Sequence, residues 1–338
     1  MKSGKWKVKS GKWKVKSEKW KVKSEKWKVE SGKWKVKSGK NQSLESIEIK
    51  NYMTTQEKKE MVMKIAFQGE YGAFSEVAAK KYFGDKIETS PSYAFADVFF
   101  KVQKRQVRFG VVPIENSLYG SVFDSYDLLL KSDLSVVGEL QLQINHHLLA
   151  KRNLELTEIT KVYSHPQALG QCSEFLKTLK YAEILPSYDT AGSALTLLQH
   201  NGDPIAIVAS KEAAEVYQLK ILKKNIQNNS ENYTRFLIIA KNPLLEDFKF
   251  PKTSICFELK NIPGALFKSL SVFALRDINL VKIESRPIPH KPFEYRFYAD
   301  FFGDLREERI KNALKNLAEI SLSIKVFGTY EKGEIYKS

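Results

Sequence analysis

Residues 64–84 read KIAFQGEYGAFSEVAAKKYFG: a short apolar strand (64–69), a glycine-flanked loop, and a helix (74–84) opening near Ser75 and stopping at Gly84. A strand feeding a helix through a polar loop opens an α/β domain. The pattern continues outward, with helices predicted over 92–104, 121–131, 166–179, 190–200 and 211–217. Strands are predicted over 107–114, 134–144, 146–150, 161–164, 182–186, 204–210 and 234–240. Strands alternating with crossover helices predict largely parallel sheets with helices on their faces. From 251 to 330 the order changes to βαββαβ, the ferredoxin-like unit, and a chain ending near residue 245 is expected to stay soluble enough to assay without this module.

Open α/β sheets collect ligands where strands end, and four small or polar clusters fall at such junctions. GEYGAFSE (69–76) lacks the GxGxxG and GK[ST] spacings of nucleotide loops, although free N–H groups at its helix start suit a carboxylate. PIENSLYGSV (113–122) sets Glu115, Asn116 and Ser117 directly after an apolar strand. SYDTAGSA (187–194) offers Asp189, Thr190 and Ser193, where a plain helix cap explains Asp189 or Thr190 equally well. ENYTRF (231–236) starts a strand with Thr234 and Arg235; the guanidinium suits a substrate carboxylate or a structural ion pair. His165 has no partner spacing for a hydrolytic triad, and the other histidines have no metal-ligand spacing. Cys172 and Cys256 are expected to be reduced and packed.

Taken together, GEYGAFSE, PIENSLYGSV, VYSHPQALGQC (162–172), DTAGSA (189–194), NYTRF (232–236), NIPGALFKSL (261–270) and KIESRP (282–287) resemble the monofunctional prephenate dehydratases that carry a C-terminal ACT domain. One departure is Gly-Glu-Tyr-Gly-Ala-Phe-Ser in the first loop, where that family commonly has Gly-Pro-x-Gly-Thr-Phe-Ser. The resemblance implies an α/β, two-lobed, periplasmic-binding-protein-like catalytic domain over 64–240, plus a ferredoxin-like ACT domain over 251–330. Lobe 1 would span about 64–143 and 226–240, lobe 2 about 144–225, with the site in the cleft between them.

The reaction implied is loss of water and carbon dioxide from prephenate to give phenylpyruvate, with no metal or other cofactor. Thr234 would carry the key role, with Asn116 and Ser117 as supporting donors and Glu115 either an acid or an orienting group. Ser75, Gly120, Thr190, Ala191, Gly192, Arg235 and Phe236 would bind substrate, Phe236 by packing beneath Thr234. Phenylalanine, the implied effector, would bind Asn261, Gly264, Ala265 and Leu266 together with Glu284, Ser285 and Arg286. ACT modules pair side by side, so a homodimer or homotetramer is expected. Two other readings stay open: arogenate as the substrate, and a non-catalytic amino-acid-binding regulator.

The net charge of +16 suggests nucleic acid until it is located. Residues 1–60 hold 19 Lys, no Arg and 7 Glu, or +12, which leaves +4 for the rest. That tail repeats SGKWKVK or SEKWKVK, with Trp6, Trp13, Trp20, Trp27 and Trp34 in register. It is low-complexity sequence, expected to be disordered and without catalytic role, although as strands it would put Trp and Val on one face. No specific nucleic acid or membrane partner is expected. The first residues lack the apolar segment of a signal peptide, and a cytoplasmic location follows as an expectation.

Overall fold

The computed structural model describes residues 26–30, 33–37, 62–200, 203–244 and 246–337. Residues 1–61 and 62–338 form two units. In the first, β1 (Lys26–Glu30) and β2 (Lys33–Lys37) pair antiparallel, Trp27 opposite Val36. The remainder of the low-complexity segment lies outside the described residues.

The second unit begins with β3 (Met63–Gln68), α1 (Phe74–Phe83), β4 (Ile87–Ser92), α2 (Phe95–Gln103), β5 (Phe109–Asn116), β6 (Gly120–Ser121), α3 (Phe123–Lys131) and β7 (Ser135–Gln143). Next come β8 (His147–Ala150), β9 (Lys161–Ser164), α4 (Pro166–Gln171), α5 (Ser173–Leu176), β10 (Glu183–Pro186), α6 (Ser193–Gln199), β11 (Ile205–Ala209), α7 (Lys211–Val216) and β12 (Lys220–Lys223). Then β13 (Tyr233–Ala240), β14 (Pro251–Leu259), α8 (Ala265–Ala274), β15 (Leu280–Pro287), β16 (Tyr295–Phe302), α9 (Glu308–Ile320), β17 (Ser321–Glu331) and β18 (Ile335–Tyr336) complete it.

Three sheets result. The first runs β18-β7-β13-β5-β3-β4 with β6 paired to β5, the second β10-β9-β11-β8-β12, and the third β15-β16-β14-β17. The chain leaves the first sheet after β7, builds the second, and returns as β13, which is the two-lobed arrangement of periplasmic binding proteins. The sheets are mixed rather than largely parallel, because β13 runs antiparallel to both β5 and β7 and β8 antiparallel to β11 and β12. Neither β8 nor β13 is reached through a crossover helix, so nothing forces them parallel. The predicted helix 166–179 is two short helices broken at Cys172, whose backbone leaves the helical region at ψ 13°.

Alternation along each strand divides the cores. Ile65, Val77, Val111, Leu140 and Phe236 bury together beneath α1. In the third sheet Ile255, Phe257 and Phe301 face α8 and α9, burying Val272, Phe273, Ile310 and Leu317. Its other face carries Cys256, Tyr298, Phe327 and Tyr330, which share one core with Val98, Val112, Ile114, Leu129 and Ile239 of the first lobe. Approach there is close: a Cβ on Gly328 would stand 2.2 Å from the Val136 carbonyl oxygen, so only glycine fits. After this sheet the chain returns, and β18 pairs with β7 as an edge strand of the first sheet.

The module is therefore not the separable appendage its position suggested. Removing it uncovers at least four large side chains' worth of core, at about 1.5–3 kcal/mol each, comparable with a typical domain stability of about 5–15 kcal/mol. A chain ending at residue 245 is expected to aggregate or melt without a cooperative transition. Gel filtration and thermal circular dichroism check this, and a monodisperse, cooperatively folding fragment would contradict it.

Candidate active site

Strand β13 is hydrogen-bonded on both edges, with Thr234 opposite Asn116 and Arg235 opposite Glu115 on β5. Opposed residues share a face and successive residues alternate, so Thr234 and Asn116 sit on one side, Arg235 and Glu115 on the other. Asn116 is buried, and its Oδ1 accepts the backbone N–H groups of Leu118 at 3.0 Å and Tyr119 at 3.1 Å. That fixes the amide's sense. Its Nδ2 then donates to Thr234 Oγ1 at 3.0 Å and to Asn232 Oδ1 at 2.8 Å. With a donor already on Oγ1, the Thr234 hydroxyl is left to donate its own hydrogen. Ser117 has a different job: its hydroxyl accepts from Tyr233 N at 2.9 Å and donates to the Glu231 carbonyl at 3.1 Å, clamping the end of β5 to the start of β13.

Beside this cluster lies a cavity of about 220 Å³ lined by Leu118, Tyr119, Gly170, Gln171, Gln227, Asn228, Asn229 and Asn232. Five of these eight residues carry carboxamides and none is charged. Asn232 is fully buried, and no protein acceptor reaches its Nδ2. On the opposing wall Gln171 Oε1 lies 2.6 Å from His146 Nε2. His146 is buried, edge-on to Phe74 at 5.4 Å between centroids, and burial holds its pKa down to about 4 despite the Gln171 hydrogen bond. The imidazole is neutral at ordinary pH. Gln171, Gln227 and Asn232 were not singled out from sequence, yet Asn232 stands two residues before Thr234, the spacing that shares a strand face.

The four clusters do not meet at one point but form two pairs. The second and fourth make the Asn116–Thr234 group; the first and third meet where Glu70 N donates to Asp189 Oδ2 at 3.1 Å and Tyr188 Oη to Glu70 Oε1 at 2.8 Å. Burial raises the Asp189 carboxyl, opposed by N–H groups of Glu70, Gly192 and Thr190. Gly72 also belongs to this contact: its φ is 84° and a Cβ would stand 2.5 Å from Ala213 Cα, while its carbonyl accepts from Ser210 Oγ at 2.6 Å. Phe74, His146 and Gln171 link the two pairs.

Several expected substrate contacts are placed elsewhere. Ser75 is buried in the first turn of α1, Ala191 is packed in the second lobe's core, and Phe236 lies in the first lobe's core. Thr190 Oγ1 makes only a 3.5 Å contact with Asp189 Oδ1, Gly192 N donates to Asp189 Oδ2 at 3.0 Å, and Gly120 is exposed at the start of β6, opposite Asn116. Arg235 does not clamp substrate: its guanidinium is buried toward the third sheet, donating to Glu139 and Asp300 at 2.6 Å each and to Tyr330 Oη at 3.1 Å. Lys252 joins the group through Glu139 at 3.0 Å. Burial alone would raise the Asp300 carboxyl, but Arg235 and Lys252 hold it below its ordinary value. Glu115 faces the same way and pairs with Lys282 at 2.8 Å.

The expected effector set is also divided. Asn261, Gly264 and Leu266 are exposed and Ala265 half-buried at the start of α8, and Ser285 is exposed. Glu284 and Arg286 instead face the first lobe, Glu284 bonding Ser121 and Arg286 bonding Asp127 at 2.5 Å while lying over the Phe123 ring at 4.4 Å. Both cysteines are buried, with thiols pushed up to about 12 chiefly by burial. Among the described residues no His, Cys, Asp and Glu group is placed to hold a metal, and no helix is long and apolar enough to cross a membrane.

Comparison with known proteins identifies the family. The sequence profile described as Prephenate dehydratase matches residues 65–244, and that described as ACT domain matches 253–319. The chain belongs to the prephenate dehydratase family. It is 42% identical over 278 residues to arogenate dehydratase/prephenate dehydratase 2, chloroplastic, of Arabidopsis thaliana, covering 79% of this chain and 72% of that one. The crystal structure of prephenate dehydratase in complex with L-Phe from Arthrobacter aurescens matches with a TM-score of 0.73 at 28% identity, covering 80% of this chain and 90% of that one. A structure described as GqqA, a novel type of quorum quenching acylase, matches with a TM-score of 0.72 at 30% identity, covering 79% and 97%. The chain is thus a lyase-type dehydratase with a C-terminal ACT domain.

The neutral His146 of this dehydratase has a stability consequence. Its folded pKa of about 4 lies below the ordinary 6.5, so the unfolded chain binds more protons between those values. Stability is complete above about pH 6.5 and falls as pH drops toward 4, by roughly 3 kcal/mol from this group. His146→Gln is expected to remove that part of the slope. Urea unfolding from pH 7 to pH 4 checks it; an unchanged slope would mean that His146 is not held neutral.

Proposed function

We propose that the cavity beside Thr234 takes prephenate and that the chain converts it to phenylpyruvate, releasing water and carbon dioxide. The observation that carries this reading is the Asn116–Thr234 hydrogen bond at the edge of an uncharged, carboxamide-lined cavity. Prephenate must lose a ring hydroxyl and a ring carboxylate together. The electron pair of the breaking carbon–carboxylate bond moves into the ring, the hydroxyl departs with one proton as water, and the ring becomes aromatic. Aromatisation supplies most of the driving force, so the protein needs to orient the ring and stabilise the departing oxygen. A threonine hydroxyl is too weak an acid to surrender its proton, but held as a donor it strengthens as charge develops on the leaving oxygen. The proton itself then arrives through water.

Neutral amides suit the other end of the reaction. A carboxylate that must discharge as carbon dioxide is held back by a strong ion pair in the ground state, so uncharged donors bind it at less cost to the rate. An acylase reading has no such support here: Thr234 and Ser117 hydroxyls bond to an amide and to backbone, not to a histidine or carboxylate base. Phenylalanine is the proposed effector, acting through the ACT domain of a homodimer or homotetramer; the L-Phe complex of the Arthrobacter protein supports that choice.

Thr234→Ala is expected to leave the fold intact and lower turnover of prephenate by at least about a hundredfold, the loss of one transition-state donor being worth about 2.7–4 kcal/mol. Steady-state kinetics with prephenate and arogenate side by side test both parts of the reading. Near wild-type turnover in the variant would remove Thr234 from the chemistry, and a higher kcat/KM for arogenate would reassign the substrate. Inhibition by phenylalanine is measured in the same assay; a full-length enzyme indifferent to it would overturn the effector.

A further inference from the structure

We infer that Asn232 is a substrate-binding residue of this site, its Nδ2 donating to the ring carboxylate that leaves as carbon dioxide. The inference rests on the proposed reaction for the identity of that carboxylate, and on the fold for everything else. Asn232 lines the cavity and is fully buried, yet no protein group accepts from its Nδ2. A buried donor left unmade costs about 1–3 kcal/mol. Turning the amide over would relieve nothing, because its sense is dictated from the backbone. The N–H groups of Leu118 and Tyr119 fix Asn116 Oδ1, Asn116 Nδ2 must then face outward as a donor, and only the oxygen of Asn232 can receive it at 2.8 Å. Reversed, Asn232 would set one N–H group against another. The Nδ2 of this cavity-lining residue is therefore the end left without a protein acceptor.

The same Asn116 nitrogen bonds Thr234 Oγ1 and Asn232 Oδ1, so one anchored amide orients both groups, two residues apart in the chain. Thr234 offers the O–H suited to the departing hydroxyl, and Asn232 the N–H suited to an anion. A hydrogen bond to a charged group contributes about 1.5–3 kcal/mol, enough to affect binding by about tenfold to a hundredfold.

Asn232→Asp is the informative substitution, since it keeps the oxygen that receives Asn116 and exchanges only the donor for an acceptor. Calorimetry in the Thr234→Ala background, which holds prephenate with little turnover, separates this inference from the reaction itself. Adding Asn232→Asp is expected to weaken prephenate by at least about tenfold and leave phenylpyruvate, which lacks the ring carboxylate, within about threefold. Asn232→Ala serves as the second variant should the aspartate not fold, with the same split expected. Unchanged prephenate affinity in a folded variant would overturn the inference while leaving the dehydratase reading in place. Equal weakening of prephenate and phenylpyruvate would also overturn it, showing that Asn232 only shapes the cavity. A prephenate-specific loss of affinity in a protein whose wild type turns over neither substrate would sustain Asn232 and sink the reaction.

Discussion

The pairing of β13 between β5 and β7 is the constraint from which both the site and its attachment to the third sheet follow. The strand arrives from the second lobe and fills the gap between two strands already laid down, so its register is set on both edges at once. Because side chains alternate, that single register places Thr234 with Asn116, which holds the cavity residue Asn232, and Arg235 with Glu115 toward the third sheet. A slip of one residue would exchange the two. Thr234 would then face Asp300 and Glu139, and a guanidinium would enter a cavity that offers it no carboxylate. The buried Arg235 group thus opposes misregister as well as joining two sheets.

How far the sequence could be read follows from how local each feature is. The α/β class, the βαββαβ module and most helices were legible because their apolar periods lie within single elements. The family was legible through short strings, and Thr234 and Asn116, expected from them to lead the site, are hydrogen-bonded to each other in the fold. What sequence could not supply was the surface opposite each strand face. Arg235 beside Thr234 reads as a substrate clamp until the third sheet, some sixty residues later, is seen to bring Asp300 to it. Glu115 and Glu284 reach their partners by the same long-range packing. Asn232 was within reach, since its two-residue offset from Thr234 is itself a strand signal, but only its unpaired nitrogen makes it conspicuous. Gln171 belongs to the other lobe, and only the fold brings it to the same cavity as Gln227 and Asn232.

The interface explains how a binding event in the third sheet's domain can be felt at the cavity without a long relay. On β15, Lys282, Glu284 and Arg286 face the first lobe, holding Glu115, Ser121 and Asp127 respectively. Those three flank the β5–β6 turn, which carries the cavity residues Leu118 and Tyr119 and the two N–H groups that orient Asn116. An effector can change substrate affinity only if it interacts differently with two arrangements of the protein. A ligand that recruited Glu284 or Arg286 would have to take them from Ser121 or Asp127, so effector and turn compete for the same side chains. Reciprocity follows: a substrate that favours the ordered turn must weaken the effector by the same factor. The Arg235 group is buried too deeply to rearrange cheaply, since withdrawing Arg235 would strand Asp300 without its ion-pair partner, at about 3–5 kcal/mol, and leave Glu139 to Lys252 alone. It is therefore the fixed point about which the more exposed Lys282, Glu284 and Arg286 pairs can exchange.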